Sequence, residues 1–334
     1  MKSGFIGIIG RPNVGKSTFL NAAIGVKVSI VTPKPQTTRD NIRGIYNEND
    51  MYIVFVDTPG IQKPKSALDQ RMIKQSMQAI NDCDCVLMVT EAGNRLNIHD
   101  KDRQLIDILK ETKTPSILAI NKIDTVSKGV LLPQIETYAA FGLFQEIVPI
   151  SALKNDGVED LIRTLGSYLP EGPAYYPEDM ITDSPTEFIV AEVIREKAIL
   201  HTREEVPYSV GVRVEDIQYK GKKLMVIRAV IVVERDSQKG IIIGKRGSML
   251  KTIGSEARRE LQWLLDKRIY LELFVKVVPN WTRTDRGLLR NVSVRPYRRS
   301  TSATWWMAIS GLRSVQVPLP LIPSETWKEI PVTT

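Results

Sequence analysis

The residues best suited to chemistry lie near the start of the chain, in residues 10–17. They follow the pattern Gly-x-x-x-x-Gly-Lys-Ser, between an apolar run at 5–9 and a helical stretch from Thr18. This context is typical of a phosphate-binding loop, whose amides and helix N-terminus attract phosphate. Lys16 can contact the β- and γ-phosphates, and Ser17 can bind Mg²⁺. The predicted nucleotide contacts in this loop are Gly10, Asn13, Val14, Gly15, Lys16, Ser17 and Thr18.

Two further motifs follow predicted strands in the order that a GTP-binding protein requires. Residues 57–60, Asp-Thr-Pro-Gly, end the apolar run 52–56. There Asp57 can hold Mg²⁺ through water, and the N–H of Gly60 can sense a γ-phosphate. Residues 121–124, Asn-Lys-Ile-Asp, end the run 116–120. Asp124 can accept from both N–H donors of guanine, and adenine would leave this carboxylate unpaired.

Residues 151–153, Ser-Ala-Leu, follow the next apolar run and can offer a backbone N–H to the guanine oxygen. Ligands of open α/β sheets bind at such strand ends. The motifs together therefore predict GTP and GDP as ligands. Outside the phosphate loop, the predicted GTP contacts are Asp57, Gly60, Asn121, Lys122, Asp124, Ser151, Ala152 and Leu153.

The segment 36–40, Gln-Thr-Thr-Arg-Asp, is the candidate for a mobile loop that carries a Mg²⁺-binding threonine. Analogy with related GTPases favours Thr38 over Thr37. The alternative is a plain turn with local hydroxyl–backbone hydrogen bonds. The predicted metal ligands are then Ser17, Thr38 and Asp57.

The hydrolytic step lacks one familiar group, because Ile61 stands where Ras-like enzymes place a water-orienting glutamine. Asn13 suggests one replacement, since some GTPases with Asn at this position use K⁺ to neutralise transition-state charge. The alternative, that Asn13 only braces the loop, stays open. The predicted catalytic residues are Lys16, Asn13, Thr38 and Gly60.

Short apolar runs alternate with helical patterns over the first 170 residues, which predicts a parallel sheet with helices on both faces. Pro-rich segments then break the pattern. We predict a GTPase domain at 1–170, a linker at 171–184, a second domain at 185–280 and an atypical tail at 281–334. No uncharged stretch approaches the length of a membrane span, and we expect a cytoplasmic protein.

The second unit is predicted as helix, strand, strand, helix, helix, strand, with a turn at 219–222. Between the two adjacent helices stands Gly244-Lys245-Arg246-Gly247, a Gly-x-x-Gly loop typical of KH domains, which clamp about four nucleotides of RNA. The chain carries a net charge of +8, and residues 239–299 hold 15 basic against 5 acidic residues. The predicted RNA contacts are Gly244, Lys245, Arg246, Gly247, Lys251 and Arg258. A helix-turn-helix with exposed charges and a protein-docking module are the alternatives.

Taken together, the 36–39 loop, the 57–61 and 121–124 motifs and the KH unit ending at 271–278 resemble the Era family of bacterial ribosome-assembly GTPases. The likeness runs from about residue 5 to 278. It implies a Ras-like α/β P-loop GTPase domain followed by an α+β type II KH domain. It also implies binding to the 3′ end of 16S ribosomal RNA and to the 30S subunit, whose maturation it assists, and peripheral contact with the inner membrane. Nothing in the sequence demands a dimer, and we expect a monomer.

The family resemblance fades near the C-terminus. Trp281 and residues 288–290 match the family loosely, and beyond about residue 291 no likeness is visible. A GTPase whose second domain docks protein or membrane, and a GTPase with no switch, remain alternatives to a GTP-switched RNA-binding factor.

Overall fold

The computed structural model describes residues 1–48, 50–61, 66–93, 98–221 and 223–284. The first unit is an α/β structure around a six-stranded sheet. Its strands are β1 (Lys2–Ile9), β2 (Ile42–Glu48), β3 (Met51–Asp57), β4 (Cys85–Glu91), β5 (Ser116–Asn121) and β6 (Glu146–Pro149). Its helices are α1 (Lys16–Ile24), α2 (Ala67–Asp82), α3 (Asp100–Lys110), α4 (Lys128–Ala139) and α5 (Val158–Ser167).

The strand order is β2-β3-β1-β4-β5-β6, and every neighbouring pair is parallel except β2 with β3. β3 and β4 are apolar throughout most of their length because both faces of the sheet are covered. One face packs against α1 and α5, and the other packs against α2, α3 and α4. The carboxyl ends of the parallel strands therefore meet along one edge, where all the predicted nucleotide motifs lie.

The second unit is a three-stranded sheet covered by helices on one face. Its elements are α6 (Thr186–Leu200), α7 (Val206–Ser209), β7 (Gly211–Lys220), β8 (Leu224–Val233), α8 (Asp236–Ile243), α9 (Ser248–Leu265) and β9 (Arg268–Val277). The central strand β8 runs antiparallel to β7 and parallel to β9. The predicted order of elements is confirmed, with α7 as an addition.

One local prediction needs correction, and two elements were not foreseen. The turn predicted at 219–222 is shorter, since Tyr219 and Lys220 pair with Met225 and Leu224 within the β7–β8 hairpin. The edge strand β2 and the helix α4 were not predicted. The sequence of β2 mixes polar residues with Gly44, whose Cα lies so close to Leu20 that a Cβ there would come within 2.7 Å of that side chain. Such an edge strand lacks the apolar run that marks the inner strands.

The segment predicted as a linker lies along β2. The N–H of Ile45 donates to the carbonyl of Ile181 at 2.9 Å, and the guanidinium of Arg43 pairs with Asp183 at 2.6 Å. Further on, Trp281 is fully buried in a cluster shared by both units, with Leu68, Met72, Val230 and Val232. The two units thus pack directly on each other. The domain boundaries themselves stay predictions, and the tail beyond residue 284 lies outside the described residues.

Candidate functional site

Three predicted metal ligands converge at the carboxyl edge of the first sheet. Ser17 lies in the first turn of α1, Asp57 ends β3, and Thr38 comes from the loop before β2. The hydroxyl of Ser17 donates to Oδ2 of Asp57 at 2.7 Å and lies 3.0 Å from Oγ1 of Thr38. Residues far apart in the chain therefore present two hydroxyls and a carboxylate to one point.

This oxygen cluster fits Mg²⁺. Asp57 is completely buried, and its Oδ1 has no hydrogen-bond partner among the residues that the structure describes. Burial raises the pKa of Asp57, an effect that Lys16 and three hydroxyl groups oppose. A buried carboxylate with an unsatisfied oxygen is costly, and a hard cation with oxygen ligands would relieve that cost.

Ser29 is a fourth contributor to this cluster, and the sequence reasoning missed it. Its hydroxyl donates to Oδ2 of Asp57 at 3.1 Å. Asn21 holds it in place, because its Oδ1 accepts from the N–H groups of Val28 and Ser29, each at 2.9 Å. No motif marks Ser29, since its role depends on how the segment after α1 folds back.

Lys16 is buried beneath the phosphate loop, where its ammonium group donates to the carbonyls of Gly10 and Arg11 at 3.0 and 3.2 Å. Burial lowers the pKa of Lys16 to about 8, and Asp57 and Asp102 oppose that shift. A buried cation of this kind is suited to an anion, and phosphate oxygens would further favour its charged form.

The loop geometry depends on glycine at close contacts. Gly15 has φ +100°, and a Cβ there would lie 2.2 Å from Nδ2 of Asn121. That amide donates to the carbonyl of Val14 at 2.8 Å, while its oxygen accepts from the N–H of Ala152 at 3.0 Å. Asn121 thus ties the phosphate loop to the loop that follows β6.

The residues predicted to recognise the base lie on the same edge. Asp124 is exposed and accepts from the hydroxyl of Ser151 at 2.6 Å, which orients its carboxylate. Lys122 adopts a left-handed backbone conformation and pairs with Glu91 at 2.7 Å. Leu153 is exposed, whereas Ala152 is buried and its N–H is occupied by Asn121.

The remaining predicted catalytic residues border the phosphate loop. Asn13 is exposed with φ +66°, and its amide donates to the carbonyl of Pro33 at 2.8 Å. A Cβ on Gly60 would lie 2.8 Å from the backbone N of Pro12, so this glycine packs closely on the loop. Ile61 packs partly buried against the core.

The predicted RNA loop joins α8 to α9. Gly244 has φ +71° and Gly247 has φ +79°, and Lys245 and Arg246 between them are exposed. A Cβ on Gly244 would come within 2.7 Å of Met249, whereas Gly247 faces open space. Lys251 and Arg258 are exposed on α9. This arrangement places two cations in a tight, glycine-bordered turn and two more along the helix that follows it.

Comparison with known proteins matches both units to families. Residues 5–122 match the family described as 50S ribosome-binding GTPase, and residues 205–282 match the KH domain family. GTPase Era of Geotalea uraniireducens is 48% identical over 287 residues, which cover 86% of this chain and 96% of the relative. GTPase Era of Ruminiclostridium cellulolyticum is 47% identical over the same shares of both chains.

The chain belongs to the Era family of GTPases. A crystal structure of a substituted Aquifex aeolicus Era bound to GDP and AlF₄⁻ matches with a TM-score of 0.82 and 43% identity, covering 86% of this chain and 98% of that chain. Era in complex with MgGDPNP and nucleotides 1506–1542 of 16S ribosomal RNA matches equally well, at 42% identity and the same coverage. The predicted fold class, a Ras-like P-loop GTPase domain followed by a type II KH domain, is confirmed.

Membership of the Era family makes this protein a GTPase with a KH domain. The fit of the oxygen cluster to Mg²⁺ agrees with the presence of Mg²⁺ beside GDPNP in the Era complex. No helix among the described residues combines the length and hydropathy that crossing a membrane requires.

Proposed function

We propose that this protein is a GTP-dependent RNA-binding factor that binds the 3′ end of 16S ribosomal RNA through its KH domain and assists maturation of the 30S subunit. The observation that carries the proposal is the exposed Lys245-Arg246 pair between two left-handed glycines. It lies in a chain 42% identical to an Era that is solved with this RNA. Phosphate contacts of this kind give affinity that falls with salt.

In the nucleotide site we assign the phosphates to Lys16 and the amides of the phosphate loop. Ser17 and Thr38 would ligate Mg²⁺ directly and Asp57 through water. Bound Mg²⁺ neutralises charge that develops on the transferring phosphoryl group. Gly60 would sense the γ-phosphate, and Asp124 would select guanine. The loops bearing Thr38 and Gly60 would order on GTP and relax after hydrolysis.

The test measures binding of RNA 1506–1542 in the presence of GDPNP and of GDP. A side chain on Gly244 would meet the backbone of Met249, so a substitution there tests folding as much as binding. We therefore use Lys245→Ala/Arg246→Ala, which removes two exposed charges. We expect RNA affinity to fall by about 10- to 100-fold, with GDP affinity unchanged.

The matched control is Arg213→Ala/Arg228→Ala, which removes two charges from strands of the same sheet. Arg228 is exposed and pairs with Glu272 on β9, and Arg213 pairs with Glu215. We expect the control to retain RNA affinity. If both double variants lose RNA affinity equally, the loss reflects the net charge of the KH unit rather than the Gly-x-x-Gly loop. If the wild type binds no RNA with either nucleotide, the proposal is overturned.

We further propose that Asn13 supports a K⁺ ion that neutralises transition-state charge during hydrolysis. The exposed position of Asn13 beside the phosphate loop supports this, because its amide nitrogen contacts Pro33 while its oxygen takes no part in that bond. Hydrolysis should then be faster in K⁺ than in Na⁺ and lose this preference in Asn13→Ala. Equal rates in the two salts would leave Asn13 as a brace for the loop.

The family resemblance also supports peripheral contact with the inner membrane by a monomeric cytoplasmic protein. Flotation with vesicles that contain anionic lipid, with and without GDPNP, tests the membrane contact. Sedimentation at several protein concentrations tests the monomer. A protein that does not bind the vesicles even at low salt would contradict the membrane contact. A mass that rises with protein concentration would contradict the monomer.

A further inference from the structure

The loop that carries Thr38 is fastened to the KH unit along its length. We call residues 27–40 the switch segment. Lys27 binds both carboxylate oxygens of Glu196 on α6, at 2.7 and 2.8 Å. The N–H of Val31 donates to the same carboxylate at 2.9 Å, and Lys34 donates to the carbonyl of Ile199 at 2.7 Å. The segment therefore lies along α6 rather than free in solvent.

On one side of Thr38, the residue Arg39 reaches from the switch segment into the KH unit. Its guanidinium donates to the carbonyls of Val210, Tyr208 and Pro207 at 2.6, 2.9 and 3.2 Å. The group lies 5.9 Å from the ring centroid of Trp281. Burial lowers the pKa of Arg39 to about 9, so it stays charged at neutral pH.

On the other side of Thr38, the contact comes from the KH unit. Arg195 of α6 donates to the carbonyl of Thr37 at 2.5 Å. Two bonds to Glu192, at 2.7 and 2.5 Å, orient this guanidinium, whose side chain is only 3% exposed. A planar donor fork held in this way leaves little freedom to the peptide that it binds.

Thr38 is therefore held between two arginine contacts that cross the interface. Its own hydroxyl lies 3.0 Å from Ser17 in the oxygen cluster. We propose that Arg195 and Arg39 are positioning residues, through which the KH unit holds Thr38 in its place in the GTPase site. This rests on the role assigned to Thr38 above.

The arrangement has a mechanistic consequence for both units. A displacement of about 1 Å in a positioning group can cost about 100-fold in rate. A shift of α6 relative to the first sheet would move the carbonyl of Thr37 and with it the Thr38 hydroxyl. Reciprocally, a ligand that orders Thr38 would favour the docked position of α6.

The test is a double-mutant cycle between Arg195→Lys and Thr38→Ala. The quantity measured for each variant is the rate of GTP hydrolysis under single-turnover conditions. Lysine keeps the charge but cannot reproduce the planar fork shared by Glu192 and Thr37. We expect Arg195→Lys to lower kcat by about tenfold or more, with GDP affinity changed by less than about twofold. With Thr38 replaced by Ala, Arg195→Lys should change kcat by less than about twofold, because residues that act as a unit are non-additive.

Arg163→Ala is the control, since this exposed arginine on α5 pairs only with Glu159 and Asp160 among the contacts that the structure records. It should leave kcat unchanged. A rate unaffected by Arg195→Lys, or lowered equally in both Thr38 backgrounds, would overturn the positioning role. Lost GDP binding with a lowered melting temperature would do so too, because the loss would then be structural.

The proposed RNA-binding function and the positioning role of the two arginines are tested by independent measurements. RNA binding by the wild type tests the proposed function and does not depend on Arg195. Hydrolysis in the double-mutant cycle is measured without RNA. Arg39→Lys repeats the test from the other side of Thr38 and should show the same dependence on the threonine hydroxyl.

Discussion

At the scale of single residues, the site holds charges that folding alone leaves poorly satisfied. Among the described residues, the ammonium group of buried Lys16 donates to two carbonyls, and one oxygen of Asp57 has no hydrogen-bond partner. Burial lowers the pKa of Lys16 and raises the pKa of Asp57, and both changes favour the neutral form of the group. Such groups cost stability by themselves, and the phosphate and Mg²⁺ proposed above would supply the partners that they lack. The poorly compensated charges thus lie in the proposed nucleotide site.

Asp40 offers a pH test of buried charge beside the site. Burial, reinforced by Glu192, raises its pKa to about 6, although Gln75, Arg71 and Arg195 oppose the shift. Because the folded state holds this proton more tightly than the unfolded state, stability falls as pH rises from about 4 to about 6. Asp40→Asn should remove this loss, stabilising the protein above pH 6 by at most about 3 kcal/mol.

Thermal unfolding of both proteins across pH 4–8 measures this difference. The advantage of Asp40→Asn should be small near pH 4 and should reach its full value above pH 7. An advantage that does not vary with pH would assign the effect to packing. A variant that is less stable at pH 7 would show that the charged Asp40 is stabilised by its arginine neighbours.

At the scale of elements, the sequence was sufficient to predict a strand or loop wherever one short segment contains the whole pattern that marks it. The inner strands are apolar runs, and the Gly-rich loops have fixed spacing, so these could be predicted to within a few residues. β2 could not, because its residues are held by β3 on one side and by the linker on the other. Ser29 and Arg195 were missed for the same reason, since their partners lie 28 and 158 positions away in the chain.

Packing between elements makes a prediction about two helical glycines. A Cβ on Gly166 of α5 would come within 2.2 Å of the sulfur of Met51, whereas a Cβ on Gly129 of α4 would meet nothing within 4 Å. Gly166→Ala should destabilise the protein by about 1–3 kcal/mol through overpacking. Gly129→Ala should be neutral or stabilise it by up to about 1 kcal/mol, because alanine favours helix.

Urea unfolding of the two variants against the wild type measures both values under one condition. Because both variants replace a helical glycine by alanine, the difference between their free energies of unfolding separates close helix–sheet packing from helix propensity. Stabilisation by both variants would mean that Met51 moves aside without cost, and destabilisation by both would mean that neither helix tolerates a methyl group.

At the scale of the whole molecule, the KH unit contacts both the switch segment and the helix that follows Gly60 in the chain. The switch segment lies along α6, and α2, which follows Gly60 in the chain, packs on β8 through Trp281. The indole N–H donates to the carbonyl of Ser209 at 3.0 Å, at the base of β7. Trp281 therefore joins the GTPase unit to the KH sheet and fills the space between them.

Trp281→Ala should loosen this contact and weaken the communication between nucleotide and RNA. Removing a buried tryptophan costs about 3–5 kcal/mol, and much of that loss falls on the interface between the units. If RNA affinity depends on nucleotide, a coupling of about 1–3 kcal/mol between the two ligands is the usual range. We expect the ratio of RNA affinities with GDPNP and with GDP to move toward 1 in Trp281→Ala.

The matched control is Trp263→Ala on α9, where the indole is 59% exposed while that of Trp281 is completely buried. Trp263→Ala should keep the ratio of the wild type even if RNA affinity itself changes, because α9 also carries Lys251 and Arg258. Affinities for RNA 1506–1542 with each nucleotide give the ratio, and GDP affinity shows that the GTPase unit is intact. If the ratio is unchanged in Trp281→Ala, communication between nucleotide and RNA runs through the switch segment alone. If the ratio moves to 1 in both variants, communication depends on the KH unit as a whole.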